Sequence, residues 1–332
     1  MITRRQVLLG SALFPLAAAQ PQRSMGTEMS NLLQSLESPR PAAKPPQPLK
    51  VAIMSKFLQF LDVPGMAAAA KEMGFDAIDL CVRAGAHVLP DRCEEDLPKA
   101  VETIRKQGLE VPMITAAIVD VQSPHAETIM RTANRLGIHH YRWGGFEYVE
   151  GISLPEQLES FKPRVRDLGA LNRQYGMTAM YHTHSGPNLV GACIWDLWYL
   201  LKDFNPDEVG VNYDVGHATV EGGFGGWVHD TRLILPYTRG IAIKDFKWGK
   251  NAAGRWEPMW CPLGEGGMVD YDRFFPMVKA AGFHGPVQLH FEYPLGGVEN
   301  GGTKPTLSNQ QIFASMRKDL AQVRMWLQKY QM

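Results

Sequence analysis

From residue 48 onward the chain alternates short apolar, β-branched runs with longer amphipathic stretches, eight times over. The runs at residues 49–54, 76–81, 110–115, 139–142, 177–181, 208–213, 240–243 and 286–291 have strand character. Between them, residues 64–73, 94–107, 124–136, 155–175, 194–202, 227–235 and 271–281 have helical spacing, and 312–330 supplies a closing helix. Strands separated by helices form parallel sheets through right-handed crossovers, and closing the sheet on itself removes both edges. The competing open, doubly wound sheet calls for a glycine-rich phosphate turn after the first strand. Met54-Ser55-Lys56-Phe57-Leu58 is not such a turn. The expected fold is therefore α/β, a single-domain (β/α)8 TIM barrel occupying residues 48–332.

The segment before it reads as processing and tether. Residues 1–19 carry paired arginines (Arg4-Arg5), an apolar run from Val7 to Ala19 and a small-residue site at Ala17-Ala18-Ala19. They are expected to be a signal peptide of the twin-arginine type, which would place the mature protein in the periplasm. Residues 20–47, rich in Pro, Ser, Gln and Ala, read as a linker. Thirty-four basic and thirty-four acidic residues cancel, so the chain lacks the basic excess of a nucleic-acid binder. The four cysteines show no CxxC spacing; Cys81 with Cys93 is a conceivable disulfide, and free thiols are the alternative.

In a barrel of this kind the chemistry sits at the carboxyl ends of the strands. Polar residues collect there: Arg83 and His87 after strand two, Arg142 and Trp143 at strand four, His182 and His184 at strand five. Asp214 and His217 follow strand six, Lys244 and Asp245 strand seven, and His290 and Glu292 strand eight. Residues two apart in a strand share a side, so His182 with His184, and His290 with Glu292, are expected to converge around Asp214. Imidazole and carboxylate together suit a divalent transition metal: Mn, Zn, Fe or Co. Asp245, of opposite parity, is expected to brace its loop, and Trp195, Trp198, Phe274 and Phe275 to be core.

Several stretches resemble the sugar phosphate isomerase/epimerase family of xylose-isomerase-like TIM barrels. They are His182-Thr183-His184-Ser185-Gly186, Asp214-Val215-Gly216-His217, Ile243-Lys244-Asp245, Pro262-Leu263-Gly264-Glu265-Gly266 and Gly285-Pro286-Val287-Gln288-Leu289. The likeness implies one divalent metal held by Glu, Asp, His and Glu from strands five to eight. Here Asp214 matches, but His182 and His290 stand at the two glutamates and Ala242 at the histidine. One reading is a rearranged metal site of His182, Asp214 and His290; the other is metal loss, with Lys244 taking over its electrostatic role.

The resemblance further implies proton abstraction beside a carbonyl or hydroxyl, through an enediolate. Glu292 is the expected general base, with Lys244 or His217 as acid or oxyanion partner. Arg83, His87, Arg142 and His184 are expected to bind substrate. The expected function is an exported sugar or polyol isomerase or epimerase, or a related lyase or dehydratase, acting on a small sugar or cyclitol and forming a homo-oligomer. Two alternatives stand beside it: a non-catalytic carbohydrate-binding barrel, motivated by Ala242, and abasic-site DNA cleavage on the same fold, which the neutral charge opposes.

Overall fold

The computed structural model describes residues 48–332; the expected signal peptide and linker, residues 1–19 and 20–47, lie outside the described residues. Eight parallel strands close into a barrel: β1 (Val51–Met54), β2 (Ala77–Val82), β3 (Met113–Ala116), β4 (His140–Trp143), β5 (Thr178–His182), β6 (Val209–Asp214), β7 (Thr238–Ile243) and, last in the chain, β10 (Val287–Leu289). Closure is made by β10, which pairs with β7 on one side and with β1 on the other, Val51 opposite Val287. Strands covered on both faces are apolar throughout rather than alternating. Accordingly β1, β2, β3, β5, β6 and β10 are buried at every residue.

The outer layer consists of α1 (Val63–Met73), α2 (Cys93–Lys106), α3 (Ala126–Arg135), α4 (Leu154–Tyr175), α5 (Ile194–Leu201), α6 (Val215–Gly222), α7 (Gly226–Ile234), α8 (Tyr271–Ala280) and α9 (Asn309–Tyr330). Their ends follow local chemistry. Asp62 accepts the Gly65 N–H at the start of α1, and Ser308 with Gln311 forms a reciprocal capping box on α9. The closing helix docks by stacking Trp326 on Tyr271, ring centroids 4.2 Å apart.

Two elements depart from the sequence expectation. The segment after β6 is two helices, α6 and α7, rather than one near 227–235. The stretch after β7 forms an antiparallel hairpin of β8 (Asp245–Lys250) and β9 (Trp256–Cys261). Phe274 and Phe275 are core as expected, but Trp195 is 54% exposed on α5. All four cysteines are free, Cys81 and Cys93 being buried thiols.

Candidate active site

Asp214, the last residue of β6, is fully buried. Its Oδ1 accepts the His217 N–H at 3.0 Å and so caps α6, while its own N–H donates to Thr183 Oγ1 at 2.8 Å. The cap fixes the carboxylate so that Oδ2 faces the barrel mouth without a hydrogen-bond partner. Around that oxygen stand Lys244 Nζ at 3.3 Å, His290 Nδ1 at 3.7 Å and His182 Nε2 at 3.8 Å.

Lys244, only 2% exposed, is the hub. Its Nζ donates to Glu292 Oε2 at 2.6 Å, hydrogen-bonds His217 Nε2, and lies 4.1 Å from the centre of the Trp260 ring. Gly216 permits this crowding. A Cβ there would sit 2.8 Å from Lys244 Cγ and 2.9 Å from its carbonyl oxygen. Asp245 points away and braces the next loop, accepting the N–H groups of Phe246 and Val269. Gly267 packs so close to that carboxylate that a Cβ would overlap it.

The protonation states follow from burial. His217 accepts from Lys244 at Nε2, so its Nδ1–H donates to Ser185 Oγ at 2.7 Å. Burial, reinforced by Lys244, holds its pKa well below the usual range, so the ring is neutral. His182 is held down by burial and then by Arg142. For His290, burial overrides the opposing pull of Glu292. The two carboxylates diverge. Burial pushes Asp214 up to about 6 despite Lys244. Burial also acts upward on Glu292, but the Lys244 ammonium that donates to it outweighs burial and brings that carboxyl down to about 2. Lys244 Nζ lies 2.6 Å from Glu292 but 3.3 Å from Asp214, which is also the more deeply buried of the two.

A line of buried polar groups crosses the barrel interior behind His182. Asn212 Nδ2 donates to His182 Nδ1 at 3.2 Å and to Gln288 Oε1 at 2.5 Å. Gln288 Nε2 and Thr115 Oγ1 both donate to Asp79 Oδ2, each at 2.7 Å. With Nδ1 accepting, the His182 proton lies on Nε2, directed at Asp214. The unpartnered Asn212 Oδ1 is the acceptor that the opposite tautomer would use after a turn of the amide.

The remaining candidates surround this centre unequally. His184 stands at the rim, its ring 3.8 Å from that of His217. Arg142 and Arg83, both half-buried, lie close enough to Asp79 to favour its charge. His87 is not brought into the cluster; its Nε2 is bonded to the Leu61 carbonyl at 3.0 Å. Sequence reasoning missed three participants: Lys56, Trp260 and Asp79. Lys56 lies in the turn after β1, where burial lowers its pKa, Glu292 opposes, and Arg83, Lys244 and Arg142 add to the lowering. Its place just past a strand end was the available signal. Asp79 carried none, being in mid-strand.

The donor set fits a metal ion. His182, Asp214 and His217 each present a ligand atom within 4.8 Å of the others. Both His217 nitrogens are engaged, however, whereas both nitrogens of the buried His290 are free, as are His182 Nε2 and Asp214 Oδ2. Buried polar atoms are ordinarily partnered, so the unpaired His182 Nε2 and His290 Nδ1, 3.8 and 3.7 Å from the unpaired Asp214 Oδ2, mark a place for a ligand. His182, Asp214 and His290 are the better three.

Residues 67–315 match the model of the family described as xylose isomerase-like TIM barrel. Comparison with curated proteins gives no match. Among solved structures, the chain is similar to the IOLI protein with a bound zinc atom, at 15% identity and TM-score 0.66, covering 85% of this chain and 99% of that one. It is also similar to 3-keto-D-glucoside 4-epimerase, YcjR, from E. coli, at 12% identity and TM-score 0.58, covering 85% and 99%. A third is the probable 3-DHS dehydratase AsbF from Bacillus anthracis, at 17% identity and TM-score 0.60, covering 82% and 98%.

Proposed function

This chain belongs to the xylose isomerase-like TIM barrel family, and we propose that it is a sugar or polyol isomerase, epimerase or related dehydratase that begins by removing a proton beside a carbonyl. The observation that carries this reading is the chain from half-buried Glu292 through buried Lys244 to His217, next to Asp214. Glu292 is ionised and so in the right state to accept a proton. Lys244, donating to it, is placed to turn its ammonium toward an oxyanion as charge develops. That shift would unpair Glu292 and raise its basicity when it is needed. His217, accepting from Lys244 and donating to Ser185, holds the ammonium in place from the side away from Glu292. Lys56, Arg83 and Arg142 add positive charge around the mouth, which suits a substrate that becomes anionic.

His182, Asp214 and His290 would hold a divalent transition metal, Mn, Zn, Fe or Co. Bound there, it would supply Lewis acidity toward substrate oxygens. Residues 1–19 would carry the chain to the periplasm by the twin-arginine route, where unphosphorylated sugars or cyclitols are the accessible substrates.

The test is solvent exchange. Incubated with keto-sugars in D2O, the protein is expected to incorporate deuterium next to the carbonyl, and Glu292→Gln to lose this by 10²–10⁴-fold. Retention of exchange in Glu292→Gln removes the base assignment. Elemental analysis is expected to find near-stoichiometric metal in the wild type and none in a His182→Ala, His290→Ala double variant. Sugar binding with neither exchange nor turnover would favour the carbohydrate-binding alternative, for which the buried Ala242 beside Asp214 is the motive.

A further inference from the structure

The hairpin that leaves Lys244 carries an aromatic strip which the proposed proton chemistry does not use. Directly opposed residues of an antiparallel pair lie on the same face, and the face repeats every second residue. The pairs Phe246–Trp260, Trp248–Pro258 and Lys250–Trp256 therefore share one face, while Lys247, Met259 and Glu257 lie on the other. Ring contacts agree: Phe246 is 6.0 Å from Trp260 and 5.8 Å from Trp248, and Lys250 Nζ is 5.5 Å from the centre of the Trp256 ring.

The strip is graded from inside to outside. Trp260, at its root, touches the active centre, 4.9 Å from the His217 ring and 4.1 Å from Lys244 Nζ. Trp248 is 44% exposed and Trp256, at the tip, 65% exposed. Successive pairs are separated by roughly 7 Å along the strands, so the strip extends on the order of 14 Å beyond the catalytic groups. Exposed indoles in series mark a binding surface. Their amphipathic rings suit the flat, half-apolar faces of sugars, and Lys250 at the tip offers a hydrogen-bond donor to hydroxyls.

Continuity with the site decides the occupant. A molecule anchored at Lys244 and Glu292 and longer than one ring meets Trp260 beside its anchor and can extend along the strip. We infer that the Phe246–Trp260, Trp248–Pro258 and Lys250–Trp256 face forms outer subsites, and that the substrate is an oligosaccharide or glycoside whose linked group lies on the hairpin. This rests on the sugar-enzyme reading above and narrows its substrate class.

The experiment compares binding of D-glucose with that of cellotriose, maltotriose and laminaritriose by calorimetry, for the full chain and for a Trp248→Ala, Trp256→Ala double variant. At least one trisaccharide is expected to bind tenfold or more tighter than glucose. The double variant should bring that trisaccharide down to the glucose level and leave glucose binding unchanged, a built-in control for folding. If glucose binds but no trisaccharide binds tighter, or if the variant keeps the trisaccharide advantage, the outer subsites are overturned and the sugar-enzyme reading survives. If no sugar binds at all, both fall. If the double variant instead converts an oligomer to a monomer in light scattering and leaves sugar binding untouched, the face is an interface between copies and the inference is overturned.

Discussion

Asp79→Asn is expected to shift stability relative to wild type in a pH-dependent way, gaining on it as pH rises. Asp79 is fully buried in the barrel interior. Its Oδ2 accepts from Thr115 and Gln288, and its Oδ1 has no partner. Burial raises its pKa from 3.8 to about 6, against the pull of Thr115 and the two arginines. A shift of about 2 units at about 1.4 kcal/mol per unit corresponds to about 3 kcal/mol of destabilisation once the group is ionised. Below about pH 4 both folded and unfolded chains hold the neutral acid, and this penalty is absent. Between about 4 and 6 the unfolded chain ionises first, so stability falls as pH rises, and above about 6 the loss is complete. Asparagine keeps an oxygen for Thr115 and Gln288 and has no charge to bury. Its NH2, replacing the unpartnered Oδ1, costs about 1–3 kcal/mol at every pH. The reliable signature is therefore the slope. In urea unfolding at pH 4, 5, 6 and 8, the variant should gain about 3 kcal/mol on wild type between the lowest and highest pH. A difference that does not change with pH would refute the claim that burial of charge dominates at Asp79.

Other outcomes follow from the same geometry. Lys244→Met leaves the buried Asp214 and the half-buried Glu292 without their cation, so turnover should fall at least 10²-fold and stability by about 3–5 kcal/mol, read by steady-state rates and urea midpoints. In metal-free protein, activity that needs ionised Asp214 should fall as pH drops through about 6, the value to which burial pushes that carboxyl when no cation is bound to it. The limb should not track Glu292, whose pKa lies near 2. A pH–rate profile flat down to pH 4.5 would contradict this.

The barrel and the strand ends bearing its chemistry were legible because the signals are local. Continuous apolar, β-branched runs and helical spacings each depend on a few neighbours in sequence, and the position just past a strand end can be counted along the chain. Parity also brought His290 and Glu292 to the Asp214 side. It failed for His184, which stands exposed at the rim with its ring against that of His217.

What tertiary structure alone decided is whatever depends on closure. Gln288 meets Asp79 across 209 residues only because β10 completes the ring beside β1. No spacing rule could have linked that carboxylate to His182. Nor could the sequence choose between metal ligand and ammonium at the centre. Asp214, His217 and Glu292 are ordinary strand-end residues until packing sets them within reach of one buried Lys244 nitrogen. The hairpin was unread for a related reason. Its tryptophans fit core spacing equally well, and only the folded barrel shows which aromatic rings remain uncovered.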